Sequence, residues 1–386
     1  MQVSIHKDKV SAKAWTAAEQ AAIESSVIIT GVVKEDKRAP GGFELGATDV
    51  NVVHASQPFP ITEYQSPEFL LDVRHLWVRS RQQTAIMQVK ATALEAIREY
   101  FKEQGFLEVT PPILVSGAVE GGSTLFELDY FGQKANLSQS AQLYLEALIF
   151  SLEKVYSITP SFRAEKSRTT KHLTEYWHVE PEAAYWTNDD FINFEQGFLT
   201  HIAHRVAKTH AKELKQLGRD PADLLAVKPP FPRITYKEAL ERLAKKGKHL
   251  DFGDDFGAEE EKLLTSEEKL PLVITNFPRS LKPFYMKVNP ADEQTVLNHD
   301  VLAPQGFGEI IGGSQREDSV ETILSKLKTE GLDPKKYEWY LDLRRYGSVP
   351  HSGFGLGLER LVRWLCKLEH IRDATPFPRV INRVYP

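Results

Sequence analysis

The sequence predicts an α+β protein, with a small β-rich module at the N-terminus and a larger domain of long helices and strands behind it. Three observations carry this. The β-branched run Val27–Val33 (VIITGVV) and the segment Phe43–Val53 flank turn chemistry at 37–42 (KRAPGG), so two strands joined by a turn are expected. Pro58, Pro60 and Pro67 then mark a linker. From Trp77 onward the composition shifts, and Thr84–Gln104 carries Ile86, Val89, Ala93, Ile97, Tyr100 and Phe101 at helical spacing. The expected division is 1–66 for a partial barrel-like module, 67–76 for the linker and 77–386 for the larger domain.

Each element has a local cause. Ser11 suits the N-cap of an alanine-rich helix running to Ser25. Gly105 suits the position just past the end of the Thr84–Gln104 helix. Asp189–Leu217 reads as one further long helical stretch. Its His201, His204 and His210 have no other ligand types beside them, which fits surface residues better than a zinc site. The strands of the first module are few for a closed barrel.

The composition narrows the function. The chain has 386 residues, 41% hydrophobic and 26% charged, which excludes disordered and collagen-like classes. With 48 Lys+Arg against 53 Asp+Glu the net charge is −5, so a generally basic nucleic-acid coat is not expected, although a local basic face is compatible with it. The lone cysteine, Cys366, allows no intrachain disulfide and no thiolate cluster, and a reducing, cytoplasmic compartment is expected. No apolar run approaches the roughly 20 residues that span a bilayer, and 1–15 lacks a signal-peptide apolar stretch.

Three segments concentrate chemistry. Phe162–Glu180 (FRAEKSRTTKHLTEYWHVE) places Arg163, Glu165, Lys166, Arg168, Lys171, His172, Glu175 and Glu180 in a loop expected between strands at Lys154–Ile158 and Trp177–Ala184. Such a cationic loop suits a polyphosphate, because the guanidinium fork matches phosphate oxygens. On its own it is equally a solvated charged hairpin. Gly353–Val362 (GFGLGLERLV) alternates glycines ahead of a helical run. It is no dinucleotide fingerprint, since the chain ends before the required βαβ unit could be completed. Its glycines could let a strand approach a flat ligand, on which Arg360 could stack. Asp300–Glu317 (DVLAPQGFGEIIGGSQRE) sets Asp300 and Glu309 around a turn, the oxygen-ligand chemistry that holds Mg²⁺ beside phosphates. No GxxxxGK[ST] motif occurs, so a P-loop enzyme is not expected.

Together the segments resemble class II aminoacyl-tRNA synthetases. FRAE…HLTEYWHVE is similar to motif 2 of that family and GFGLGLERL to motif 3. The long helix ending in GFLEVTPPIL (105–114, with Pro111 and Pro112) is similar to motif 1, the dimer-interface element. SQSAQLYLEAL, EGGSTLFELDYFG and GEIIGGSQRE place the resemblance in the aspartyl/asparaginyl branch, on the asparaginyl side. It runs from about Ser26 to the C-terminus.

The resemblance implies a mainly antiparallel sheet flanked by helices, a homodimer, and ATP bound in a bent form. It further implies that Arg163 contacts the α-phosphate and the reacting carboxylate. Tyr176 would lie under adenine, with Arg360 capping it and reaching the γ-phosphate beside His172. Glu175 would read the adenine edge, and Asp300 and Glu309 would hold Mg²⁺. Ser123, Gln142 and Glu180 would surround the α-amino group of the amino acid.

Aspartate and asparagine are nearly isosteric, so charge and hydrogen-bond polarity must separate them. Aspartyl members carry a lysine in a QSPQLYK pattern; this chain has Leu145 there, in QSAQLYL. Loss of that cation disfavours a buried carboxylate. Arg316 could donate to a side-chain carbonyl and Glu165 could accept from an amide nitrogen. Leu145 is also readable as an ordinary core leucine.

The family's catalytic domain follows an OB-fold barrel that reads the anticodon. Met1–Ile5 resembles the middle of that barrel, and 1–66 carries only Trp15, Phe43, Phe59 and Tyr64 as aromatics for base stacking. The expected activity is adenylation of asparagine followed by transfer to the terminal ribose of tRNA(Asn). The competing one is a tRNA-independent ligase that activates aspartate with ATP and amidates it with ammonia. The incomplete barrel favours the second and Leu145 the first. A non-catalytic module would predict losses at Arg163, Glu309 or Arg360, and all three are present.

Overall fold

The computed structural model describes residues 1–120, 124–166 and 169–386, which fold as two units, Met1–Val73 and Arg74–Pro386. In the first unit, β1 (Gln2–Ser4), β2 (Ser26–Glu35) and β3 (Phe43–His54) form a sheet of order β1-β3-β2. β2 and β3 pair antiparallel from Glu35↔Phe43 to Ser26↔His54, so the KRAPGG segment does turn the chain. The helix Ala12–Gln20 is capped by Ser11, whose Oγ accepts from the Ala14 amide at 3.1 Å. Its Ala14 packs with Ala47 and Val50 of β3. The helix stops at Gln20 rather than at the expected Ser25, because Ala21 is already extended. Ser25 instead accepts from the Ser56 amide at 3.0 Å. Three strands make a small open sheet in the manner of an OB-like module.

The segment 67–76, expected as a linker, is mostly helical: Pro67–Asp72 and Arg74–Trp77 are short helices. The reason is local. Ser66 accepts from the Phe69 amide, and Pro67 at the first helical position has its φ already fixed and lacks only a donor that would be unpaired there. The irregular stretch lies before it.

The second unit adds β4 (Leu107–Glu108), β5 (Leu114–Val115), β6 (Glu127–Tyr130), β7 (Gln133–Leu137), β8 (Lys154–Phe162), β9 (Glu175–Ala184), β10 (Arg233–Thr235), β11 (Leu272–Thr275), β12 (Asn298–Ala303), β13 (Gly308–Gln315) and β14 (His351–Gly357). Among the described residues one sheet has the order β10-β11-β12-β13-β14-β9-β8-β4, and β5, β7 and β6 form a smaller one. β11 through β8 pair antiparallel; only the edge strands β10 and β4 join parallel.

Two long helices pack together against this sheet. Arg81–Glu103, capped by Ser80, buries Ile86, Val89, Ala93, Ala96, Ile97 and Phe101 completely. Asn188–Thr209 starts at a capping box of Thr187 and Asp190 and buries Phe191, Phe198 and Ile202. The expected single stretch Asp189–Leu217 is in fact two helices. The chain breaks at His210, whose ring lies 2.8 Å from Thr92 Oγ1, and resumes as Ala211–Gln216. Cys366 is buried in the same core. Among the described residues no helix is long and apolar enough to cross a membrane.

The sheet has one face against this core and one open. Along β9, Val179 and Ala183 face the helices, while Tyr176, His178 and Glu180 line a cleft on the other side.

Candidate active site

A cleft opens on that second face. Its walls are β9, β13 and β14, the loop between β8 and β9, and the start of the helix Leu358–Leu365. The sequence places the groups there by alternation. Gly353, Gly355 and Gly357 share one face of β14, and two of these positions make room for side chains of β9. A Cβ on Gly353 would meet Glu182 Oε2 at 2.0 Å, and one on Gly355 would meet His178 Nε2 at 2.4 Å. The glycines therefore accommodate protein side chains, not only a ligand.

At one end of the cleft cations and acids are interleaved. Arg163 begins the loop after β8, forms an ion pair with Glu120 and lies 5.6 Å from the ring centre of Tyr176. Its buried Nε has no acceptor among the described residues. Arg360, in the first turn of its helix, contacts Glu309 Oε1 at 3.1 Å. Lys171 binds Glu261 at 2.5 Å, and Glu261 Oε2 accepts from the Glu309 amide at 3.0 Å. Lys282 donates to Asp300 Oδ2 at 2.8 Å. Burial alone would raise the Glu309 carboxyl, but Arg360, Lys171, Lys282 and Arg163 outweigh it and hold it well below the usual range. Burial, with Arg360 and Lys171, pushes His172 down to about 4, so the ring is neutral near pH 7. Its Nε2 lies 3.9 Å from Glu165. At or beside this end of the cleft Arg163, Lys171, Lys282 and Arg360 are thus each paired with a carboxylate.

The other end is deeper. Glu180 accepts from Ser140 Oγ and, at 2.9 Å, from the Ala141 amide. Burial raises its carboxyl in spite of these donors. His178 Nδ1 lies 3.3 Å from both Ser161 Oγ and Glu180 Oε1. Burial first, then the charge of Arg163, push that imidazole down to about 3. Arg316 is clamped by Glu182 through Nε–H and Nη2–H, each 2.9 Å from a carboxylate oxygen, and donates to Ser314 Oγ at 2.7 Å. Its guanidinium lies 5.4 Å from the ring centre of the buried Tyr285.

Most expected residues meet in this cleft: Gln142, Arg163, Glu165, His172, Tyr176, Glu180, Glu309, Arg316 and Arg360 line it. Three expected residues do not line it. Leu145 is fully buried with Ala141, Ile149, Val155 and Ala184, away from the lining. In its helix, 141, 145 and 149 form one apolar stripe, while 142 and 146 face the polar side. Glu175 is exposed at the start of β9 and outside the lining, because it has the opposite parity to Tyr176, His178 and Glu180. Asp300 lies beside the cleft rather than in its lining, on β12 next to Gly312. Ser123 lies outside the described residues. Groups that sequence reasoning did not assign are Glu120, Glu146, His178, Glu182, Glu261, Lys282 and Tyr285. Parity along β9 was the available signal for His178 and Glu182.

A six-stranded antiparallel core carrying a cleft of interleaved acids and cations, with arginines from a β8–β9 loop and from the helix after β14, defines a class II aminoacyl-tRNA synthetase. The family model described as tRNA synthetases class II (D, K and N) matches residues 66–381, and the chain belongs to that family. It is 53% identical to the asparagine–tRNA ligase of Thermococcus gammatolerans over 386 residues, covering 100% of this chain and 90% of that one. It is similar to the crystal structure of Pyrococcus horikoshii asparaginyl-tRNA synthetase complexed with asparaginyl-adenylate, with a TM-score of 0.96, 52% identity and coverage of 100% and 89%. An aspartyl-tRNA synthetase from Entamoeba histolytica is more distant, with a TM-score of 0.82 and 26% identity over 100% of this chain and 84% of that one.

Proposed function

We propose that the protein is an asparagine–tRNA ligase. The asparagine carboxylate attacks the α-phosphate of ATP, the bond to the β-phosphate breaks, and pyrophosphate leaves. The asparaginyl group then passes from the adenylate to a terminal ribose hydroxyl of tRNA(Asn), releasing AMP. One observation carries the choice of amino acid: Arg316 is already neutralised by the two-point clamp of Glu182. A substrate carboxylate would find no free cation there and would be buried unpaired, whereas a carboxamide oxygen needs only a donor. Two guanidinium N–H groups remain after Glu182 and Ser314 are served, enough for that bond.

The remaining roles follow the geometry. Arg163 offers an unpartnered buried Nε–H where charge develops on the α-phosphate. Tyr176 offers a ring for adenine to stack on, and Arg360 and the neutral His172 stand toward the terminal phosphates. Glu180 and Gln142 bracket the α-ammonium. Mg²⁺ suits the carboxylate oxygens of Asp300 and Glu309. Asp300 Oδ1 and Glu309 Oε1 both lie 3.6 Å from the point a Cβ on Gly312 would take, so the glycine keeps a space open between two hard donors. When bound, the ion would neutralise charge on the leaving pyrophosphate.

A homodimer is supported by Leu107, Ile113 and Leu114, which stay exposed in the motif 1 segment. Contact of the first unit with tRNA is supported by the exposed rings of Phe43 and Tyr64. A cytoplasmic setting is supported by the single buried thiol.

The test is exchange of labelled pyrophosphate into ATP with asparagine or aspartate alone, followed by charging of tRNA(Asn). Exchange with asparagine only, then charging, is expected. Exchange with aspartate only would overturn the assignment in favour of the aspartate-amidating ligase.

A further inference from the structure

Behind Arg316 lies a second carboxylate that does not line the cleft. Glu146, on the helix Gln142–Leu152, is completely buried. It accepts from Arg344 Nη2 at 2.5 Å, from the Tyr340 hydroxyl at 2.8 Å and from Gln142 Nε2 at 3.0 Å. It lies 2.9 Å from His351 Nε2 and 4.0 Å from Arg316 Nε. With the Glu182 clamp, two guanidiniums are matched by two carboxylates in one buried cluster, and the His351 ring, with Nδ1 2.7 Å from the Val349 carbonyl and Nε2 2.9 Å from Glu146, lies against it. Arg344 also donates through Nε to the Glu317 carbonyl at 3.0 Å, while its buried Nη1 has no acceptor among the described residues.

We infer that Glu146 is a specificity-determining positioning residue, completing the charge balance around Arg316 so that the side-chain pocket takes a neutral carboxamide and rejects a carboxylate. This deepens the asparagine assignment above and rests on it. A buried cluster resists a net charge. Removing one of its carboxylates therefore favours a substrate that brings −1, and removing one of its guanidiniums disfavours it. The same side chain holds Gln142, which lines the cleft, so it acts on the bound amino acid through two neighbours.

The test is the ratio of kcat/KM for asparagine to that for aspartate in pyrophosphate exchange. Glu146→Gln keeps the shape and removes one negative charge from the cluster; the ratio should fall about tenfold or more, with aspartate use rising. Arg344→Met removes one positive charge, and the ratio should move the other way. The double variant restores the balance and should return the ratio to within about threefold of the parent. A residue that only supports the fold would depress both amino acids together in every variant and leave the ratio in place. That result, or displacement of both single variants in one direction, overturns the inference. If one single variant does not fold, the direction in the other single variant still decides. The unaltered protein separately tests the assignment itself: its preference for aspartate would remove the premise, whereas a static ratio among variants of an asparagine-specific parent removes only the role of Glu146.

Discussion

The imidazole of His178 fills the space that a side chain on Gly355 would need, with Nε2 only 2.4 Å from the ideal Cβ position. The two residues lie on the neighbouring strands β9 and β14, so neither can shift without disturbing the sheet. Gly355→Ala must therefore push the ring outward, and with it the Nδ1 contact to Glu180. Overpacking of this kind costs about 1–3 kcal/mol. The expected outcome in pyrophosphate exchange is a raised KM for asparagine, because Glu180 is displaced, with a smaller effect on KM for ATP. An unchanged asparagine KM would show that the ring does not act through Glu180.

His178 also makes stability depend on pH. In the fold it stays neutral down to about 3, while in the unfolded chain it takes a proton near 6.5. Between those values the unfolded state binds one more proton, so this contribution is whole above about pH 6.5 and is lost as pH falls. The slope is about 1.4 kcal/mol per pH unit. Urea midpoints measured from pH 7 to 5 should fall less steeply for His178→Gln than for the parent, and parallel curves would refute it.

Lys90 and Glu359 join the long helix to the helix after β14. Lys90 Nζ donates to Glu359 Oε1 at 2.6 Å, and the other carboxylate oxygen accepts from the Trp177 amide at 2.9 Å. Both side chains are buried. Lys90→Met leaves an unpaired buried carboxylate, and the expected loss is about 3–5 kcal/mol of unfolding free energy. Adding Glu359→Gln removes the stranded charge and should recover part of it. Chemical denaturation of the parent, Lys90→Met, Glu359→Gln and the double variant gives the coupling directly.

What was legible in the sequence and what was not divide along a physical line. Arg163, Tyr176, Glu309 and Arg360 sit in segments whose local composition has no use in a core, so each drew notice before any fold was known. Glu120 and Lys282 are single charged residues and Glu261 ends a run of three glutamates on a charged helix, and only long-range pairing brings them to or beside the cleft. Leu145 and Glu175 show a different failure. Their segments were identified, but the face was not: helical spacing sends Leu145 with Ala141 and Ile149 into the core, and strand parity turns Glu175 away from Tyr176. Chemistry read as a string places residues in a site that geometry then sorts by face. In the fold, the helix break at His210 depends on its contact with Thr92, far earlier in the chain, and no local signal announced it.

Gly312 offers the contrast to Gly355. A Cβ there would lie 3.6 Å from Asp300 Oδ1 and from Glu309 Oε1, an ordinary van der Waals separation. Gly312→Ala should therefore fold normally, with thermal stability close to the parent. The added methyl nevertheless stands between the two carboxylates proposed for Mg²⁺. That ion binds oxygens at about 2.0–2.1 Å, demands near-octahedral geometry and keeps several of its waters, so it tolerates little intrusion. The expected result is a higher Mg²⁺ concentration for half-maximal pyrophosphate exchange, with asparagine KM little changed because Arg316 and Glu180 are untouched. Titrating MgCl₂ at fixed ATP measures it. A normal Mg²⁺ dependence in a folded Gly312→Ala protein would place the ion away from Asp300 and Glu309.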